Sequence, residues 1–308
     1  MAFSAQDVKT LREMTNVGMM DCKKALQETD GDMDKAVEWL REKGLAKAAK
    51  KAGRIAAEGM AYAAVCPECG VGAMVEVNCE TDFCAKSDLF TSFVKDICKA
   101  VMTNKPADVE ELLNCKYPGS ELSVSETLPE KVMSIGENLQ IRRFSIYDGG
   151  NSVAYVHAGG KIGVLVNLLV EGDIDATQIG KDVAMQIAAL NPRFWDKSKV
   201  TEDVIAEERK IARSLIDQDP KMASKPDQVK DKIIDGKVNA FFKENCLLQQ
   251  EFVKDSSMSV EKYIESAAKA LGGKITFVDA VRFEKGEGIE KKVEDFAAEV
   301  AAQMNMGK

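Results

Sequence analysis

A single histidine, His157, in 308 residues removes most arrangements that use imidazole as a catalytic base or metal ligand. The sequence also lacks a Gly-x-Ser-x-Gly elbow, a His-Glu-x-x-His helix and a Gly-x-x-x-x-Gly-Lys-Ser/Thr loop. Serine-hydrolase, zinc-protease and phosphate-loop chemistry therefore have no carriers. Basic charge is in deficit: 42 Lys and Arg against 50 Asp and Glu give a net charge of −8, the wrong sign for a general nucleic-acid binder. No apolar run approaches the roughly 20 residues that span a bilayer. The start, Met1 to Asp7, has neither the charged nor the apolar part of a secretory signal, so a cytoplasmic location is expected. Eight cysteines are scattered from Cys22 to Cys246 in a chain long enough to fold without staples, which reads as reduced thiols and not a disulfide framework. Together these absences predict a protein that does no covalent chemistry, carries no cofactor and acts by binding another protein.

What is present, 45% hydrophobic and 30% charged residues, supports a packed core and more than one domain. Residues 1–53 read as a helical module of three short helices. The first runs from Ala5 to Met14 with Val8 and Leu11 on one face, and Gly18 is expected to close it in the left-handed conformation. The second spans Met19 to Glu28 and buries Cys22, Ala25 and Leu26. The third, capped by Asp32, carries Ala36, Val37 and Leu40. From Leu45 the Ala/Lys/Gly-rich stretch through Lys47, Lys50, Lys51 and Arg54 reads as a solvated helical linker.

Alternation then predicts a hairpin, Met60–Cys66 and Ala73–Asn78, around Pro67 and Gly70-Val71-Gly72. Helices follow over Asp88–Met102, with Phe90, Phe93, Ile97 and Val101 at helical spacing, and over Glu126–Glu137. Strands Leu139–Tyr147, Ser152–His157 and Lys161–Val170 lead to a helix over Ala176–Leu190. Residues 200–245 form a narrow apolar stripe in a charged background, broken at Asp219-Pro220, as expected of two helices in an antiparallel hairpin. A helix over Val260–Leu271, a strand over Lys274–Phe283, a hinge at Gly286-Glu287-Gly288 and a last helix over Glu290–Met304 complete the chain. The fold class is α+β: helices laid against antiparallel strands.

Few motifs stand out. Glu76 to Lys86 leaves a strand and turns into a helix; the plain reading has Phe83 packing inward and Asp82 capping the helix. Cys66-Pro67-Glu68-Cys69 has zinc-knuckle spacing, but a structural zinc needs four ligands. Cys79 and Cys84 flank a different turn and no histidine is near, so no metal site is assigned and the pair reads as turn cysteines. His157, before Ala158-Gly159-Gly160-Lys161, reads as a hydrogen-bonded turn residue.

Set in order along the whole chain, several of these segments resemble the elongation factor Ts family. They are Thr15 to Leu26, Lys47-Ala48-Ala49-Lys50-Lys51-Ala52-Gly53, Glu76-Val77-Asn78-Cys79-Glu80-Thr81-Asp82-Phe83 and Ile135-Gly136-Glu137-Asn138. His157, Lys161 to Val166, and Arg282-Phe283-Glu284 through Glu290 continue the match. The resemblance implies a ubiquitin-associated-like module at 1–53, a core N-subdomain at 54–138 and a core C-subdomain at 139–199 and 246–285. It also implies an inserted coiled-coil hairpin at 200–245 and a C-terminal module at 286–308.

It implies a guanine-nucleotide exchange factor in translation elongation whose partner is GDP-bound elongation factor Tu. Thr81, Asp82, Phe83 and Cys84 would disturb the partner's magnesium site, with Met19, Met20, Lys23, Lys24, Lys51, His157 and Phe296 as further contacts. The chain itself would bind no nucleotide, nucleic acid or membrane. Cys84 departs from the valine usual there, a change a small apolar thiol should accommodate. The stoichiometry stays open between one-to-one and a homodimer-based two-plus-two complex. Two other readings stand beside this one: an adaptor using residues 1–53 alone, and a zinc-dependent enzyme or nucleic-acid binder centred on Cys66 and Cys69.

Overall fold

A computed structural model describes residues 3–15 and 17–290. The expected last helix and Phe296 lie outside the described residues. The chain begins with α1 (Ala5–Thr15), α2 (Met19–Glu28) and α3 (Met33–Lys51). Val8, Leu11, Val17, Cys22, Ala25, Leu26, Ala36 and Leu40 are buried in a small core of their own, and Asp32 accepts the Lys35 amide at 3.1 Å to start α3. Two expectations need correction. Gly18 has φ −57° and ψ 141° and precedes α2 as its N-cap, so it starts a helix and does not close one. The stretch from Leu45 is no linker. It continues α3 to Lys51, and the helix lies against a later helix, Val124–Ile135, close enough that a Cβ on Gly44 would sit 3.4 Å from the Pro129 carbonyl. Met133 joins the module's core from that neighbour.

Strands β1 (Glu58–Val65) and β2 (Gly72–Cys79) form the expected antiparallel hairpin. A single helical turn, α4 (Asp82–Ala85), separates β2 from α5 (Asp88–Asn104). Then come α6 (Val109–Asn114), α7 (Val124–Ile135) and β3 (Gln140–Tyr147). Because β3 pairs with β2, the first sheet is ordered β1-β2-β3; a division at 138/139 would cut this sheet. The second sheet, ordered β4-β5-β8, is built from β4 (Asn151–His157), β5 (Ile162–Glu171) and, near the end, β8 (Lys274–Glu284).

Both central strands are buried on their two faces, which explains their nearly continuous apolar sequence. On β2, Ala73, Val75 and Val77 point to α5 and α7, while Met74 points to the other sheet. On β5, Val164, Val166 and Leu168 face the outer helices and Leu165 faces inward. The outer cover of the second sheet comes from α8 (Thr177–Leu190) and, later in the chain, α12 (Val260–Ala270). Ala61, Ala63, Met74, Leu165 and Phe283 fill the seam between sheets, giving helix, sheet, sheet and helix layers.

Between α8 and α12 the chain makes α9 (Glu202–Gln218), a turn of helix α10 (Pro220–Ala223) and α11 (Asp227–Asn245). The short hairpin β6 (Glu251–Phe252) with β7 (Asp255–Ser259) follows. Ala212, Ile216, Ile234 and Val238 pack between α9 and α11. Arg213 reaches Asp227 at 2.8 Å and Asp231 at 3.2 Å across the pair. The expected hinge at Gly286–Gly288 is a pinned turn. The Gly286 amide donates to Glu76 at 2.7 Å, and Arg143 reaches Glu287 at 3.1 Å. Gly286 has φ +69°, and a Cβ there would lie 2.2 Å from the Ala57 carbonyl oxygen, so only glycine fits. No described helix is long and apolar enough to cross a membrane.

Candidate functional site

At the end of β2 the chain must turn sharply to enter α5, and α4 makes that corner. Thr81 caps it, its hydroxyl accepting the Cys84 amide at 3.1 Å, and Ser87 caps α5 in the same way. The cap role expected of Asp82 belongs to these two residues. Asp82 instead occupies the first helical turn and pairs with Lys86 at 2.7 Å. The Lys86 ammonium holds the Asp82 carboxyl below its ordinary range.

Phe83 does not pack inward. It is 84% exposed, the largest exposure among the described large hydrophobics. Cys84, next in line, is buried with Ala85 against the core of the first sheet. The corner therefore alternates: Thr81 ties it, Asp82 and Phe83 face solvent, Cys84 anchors it. An aromatic ring left in water on a fixed turn forgoes roughly 2 kcal/mol of burial, which folding alone does not explain.

The turn is fixed by Glu137, which leaves α7 just after Gly136 caps it in the left-handed conformation at φ +91°. One Glu137 oxygen accepts the Glu80 and Thr81 amides at 2.9 and 3.0 Å, and the other accepts the Thr81 hydroxyl at 2.6 Å. In return Glu80 accepts the Asn138 amide at 2.6 Å, and the Asn138 side chain donates to the Arg54 carbonyl at 2.8 Å. Lys51 donates to the Gly136 carbonyl, and partial burial lowers its pKa. Thus the segments 51–54, 79–84 and 136–138 meet at one corner.

Glu137 was legible in the sequence only as part of a landmark; its brace role had one faint signal, the glycine ending an apolar helical stripe. Replacing Glu137 with Gln turns an acceptor pair into one acceptor and one donor facing donors. Amide exchange at Glu80 and Thr81 is expected to speed up at least about tenfold, corresponding to about 1.4 kcal/mol. Unchanged exchange by NMR or mass spectrometry would show that the corner holds without it.

The other expected contacts lie apart from this corner. Met19 and Met20 are 52% and 76% exposed, and with Lys23 and Lys24 they face solvent on α2. His157 is exposed at the end of β4, its Nδ1 3.0 Å from the Tyr155 hydroxyl. Cys66 and Cys69 sit in the tip of the β1–β2 hairpin, whereas Cys79 ends β2 on the opposite side. The four cysteines do not converge, and all eight are free thiols.

Helices over two antiparallel sheets, with a solvent-facing aromatic on a braced corner, define an α+β protein built to present a surface. A family model described as elongation factor Ts matches residues 80–287. The elongation factor Ts of Clostridium novyi is 47% identical over 306 residues, covering 98% of this chain and 99% of that one. Those of Trichlorobacter lovleyi and Clostridium botulinum are 47% and 46% identical over 310 and 309 residues, covering 98% and 99% of this chain and the same shares of theirs. The chain belongs to the elongation factor Ts family, and is therefore a translation elongation factor of the exchange-factor kind.

Proposed function

We propose that this chain binds elongation factor Tu and promotes GDP release by inserting the Asp82-Phe83 corner beside the partner's magnesium site. The observation that carries the reading is Phe83, 84% exposed on a turn that Glu137 holds from behind. A rigid apolar wedge loses little conformational freedom on binding, so more of its contact energy reaches the complex. Inserted next to a phosphate-bound magnesium, it displaces the side chains and water that ligate the ion, whose charge otherwise neutralises the phosphates. A loss of about 1.4 kcal/mol of nucleotide affinity is already tenfold. Coupling is reciprocal, so nucleotide rebinding expels the factor and the cycle turns over.

In the same reading α1–α3 act as a ubiquitin-associated-like module that grips the partner's nucleotide domain through Met19, Met20, Lys23 and Lys24. The α9–α11 pair is a coiled-coil hairpin inserted in the C-terminal half of the core. Lys51 has a second duty in this scheme: tied to Gly136, it sets the module's position relative to the corner. His157 contacts another region of the partner. The chain needs no nucleotide site of its own.

The test is release of labelled GDP from elongation factor Tu with and without the full chain. Acceleration well above the roughly 30-fold that one aromatic anchor supplies is expected at stoichiometric factor. Release at the spontaneous rate would remove the exchange reading. Full binding by residues 1–53 alone would favour an adaptor instead.

A further inference from the structure

Behind the exposed face of the corner lies a second group of reactive side chains, whose thiols take no part in the proposed exchange step. Cys79 ends β2, Cys84 lies in α4, and Glu137 follows α7. Both thiols are buried. Their sulfurs and one Glu137 carboxylate oxygen all lie within 4.8 Å of one another. We propose that Cys79, Cys84 and Glu137 form a binding site for a borderline-soft divalent cation of the zinc class, set directly beneath the Asp82-Phe83 corner.

The donor set decides the class of ion. Two thiolates with one carboxylate suit zinc and its analogues and do not suit magnesium or calcium, which take oxygen ligands. Tetrahedral coordination with bonds of about 2.0–2.3 Å places ligand atoms roughly 3.5–3.8 Å apart. From a spread of 4.8 Å at most, a contraction of about 1 Å closes the set, within reach of small side-chain rotations.

Glu137 is pre-oriented for the task. Its Oε2 already accepts two amides and its Oε1 one hydroxyl, so one lone pair of Oε1 stays available. Those three donors orient the ligand as the outer partners of metal sites do. The Thr81 carbonyl oxygen, 3.2 Å from the Cys79 sulfur, offers a further donor, and water can complete the shell. Lys51 and Arg54, on the same corner, offset the net negative charge that two thiolates and a carboxylate leave around a divalent ion.

Binding requires both thiols to lose their protons to solvent. The Cys79 sulfur beside it, and then burial, push the Cys84 thiol well above its ordinary range. The ion must displace those protons, so its affinity falls as pH is lowered. Once bound, it ties the end of β2, α4 and the loop after α7 into one unit, stiffening the turn that carries Phe83. The half-buried Cys66 with the exposed Cys69 is the natural competitor for the same ions, which makes the pair the control.

The full-length chain, kept reduced with a phosphine and freed of metal by a chelator, is titrated with cobalt(II) and then zinc. A Cys66→Ser/Cys69→Ser chain should keep a thiolate-to-cobalt charge-transfer band that saturates at one cobalt per chain and is quenched by zinc. In that same Cys66→Ser/Cys69→Ser background, Cys84→Val, similar in size and apolar, should fold normally by circular dichroism and thermal melting. It should lose more cobalt affinity than the roughly 10- to 100-fold that removal of a merely orienting partner costs. Three results overturn the site: no band in the Cys66→Ser/Cys69→Ser chain, an unchanged band in folded Cys84→Val, or a Cys79–Cys84 disulfide in the reduced preparation detected by mass.

Discussion

Replacing Phe83 with alanine is expected to lower GDP-release stimulation on elongation factor Tu by roughly 30-fold or more while leaving thermal stability almost unchanged. The two halves of this expectation come from one number. At 84% exposure the ring contributes little to the folded chain, and such surface changes usually stay within about 0.5 kcal/mol. For a protein of this size that is a shift of about 2 °C or less in Tm. In the proposed complex the same ring would be an anchor. Buried aromatic anchors cost about 2–4 kcal/mol when truncated, and 2 kcal/mol is close to 30-fold. Asp82→Ala alone should do less, since it removes an exposed pair with Lys86 and one polar contact. The double variant, Asp82→Ala with Phe83→Ala, is the decisive form: if stopped-flow release with it matches the unaltered factor, the corner is not the wedge.

Phe83 also marks where the sequence is and is not informative. Its flanks are legible because they obey local rules. Alternation marks β2, helical spacing of Phe90, Phe93, Ile97 and Val101 marks α5, and all four are fully buried. The ring itself misleads, because a phenylalanine after a strand normally turns inward and nothing local says that it does not. α4 is a single turn, too short for any periodicity to register.

The same limit applies to α3. Its Ala- and Lys-rich end has no apolar stripe of its own, so the docking of Gly44 on Pro129 is invisible without α7 in place. Gly286 looks like a hinge by composition and is a clamp by tertiary contact, because its positive φ serves a close approach to Ala57 and not freedom. Sheet membership of β3 is likewise a long-range matter: a strand that follows a helix can join either sheet, and only pairing with β2 decides it. The proposed exchange activity and partner rest on family likeness along the chain; composition, motifs and absences alone point no further than to a protein that binds.

Glu76 carries the largest expected effect on folding. It sits in the middle of β2 with no exposed surface, where the pattern alone would demand an apolar residue. Arg142 donates to one of its oxygens at 3.0 Å and Arg143 to the other at 2.6 Å. The Gly286 amide adds a bond at 2.7 Å and the Asn78 side chain one at 3.3 Å. Arg143 in turn stacks over Phe283 at 4.2 Å, so one carboxylate joins β2, β3, β8 and the turn after β8. Glu76→Ala removes the acceptor for all of these and leaves Arg143 only Glu287, and Arg142 only the Glu287 carbonyl, as polar partners among the described residues beside the seam between the sheets.

Breaking a buried ion pair by removing one partner costs about 3–5 kcal/mol. Both arginines keep about a third of their surface in water (28% and 33% exposed), which places the expected loss near 3 kcal/mol, or about 6–12 °C in Tm. Glu76→Gln keeps the volume and one acceptor and should lose less, about 2 kcal/mol. The pairing with Arg143 is isolated by a double-mutant cycle with Arg143→Met, which keeps much of the packing on Phe283. A coupling of at least about 1 kcal/mol is expected by chemical denaturation. Additive effects would mean that Glu76 is held by Arg142, Asn78 and the Gly286 amide without help from Arg143.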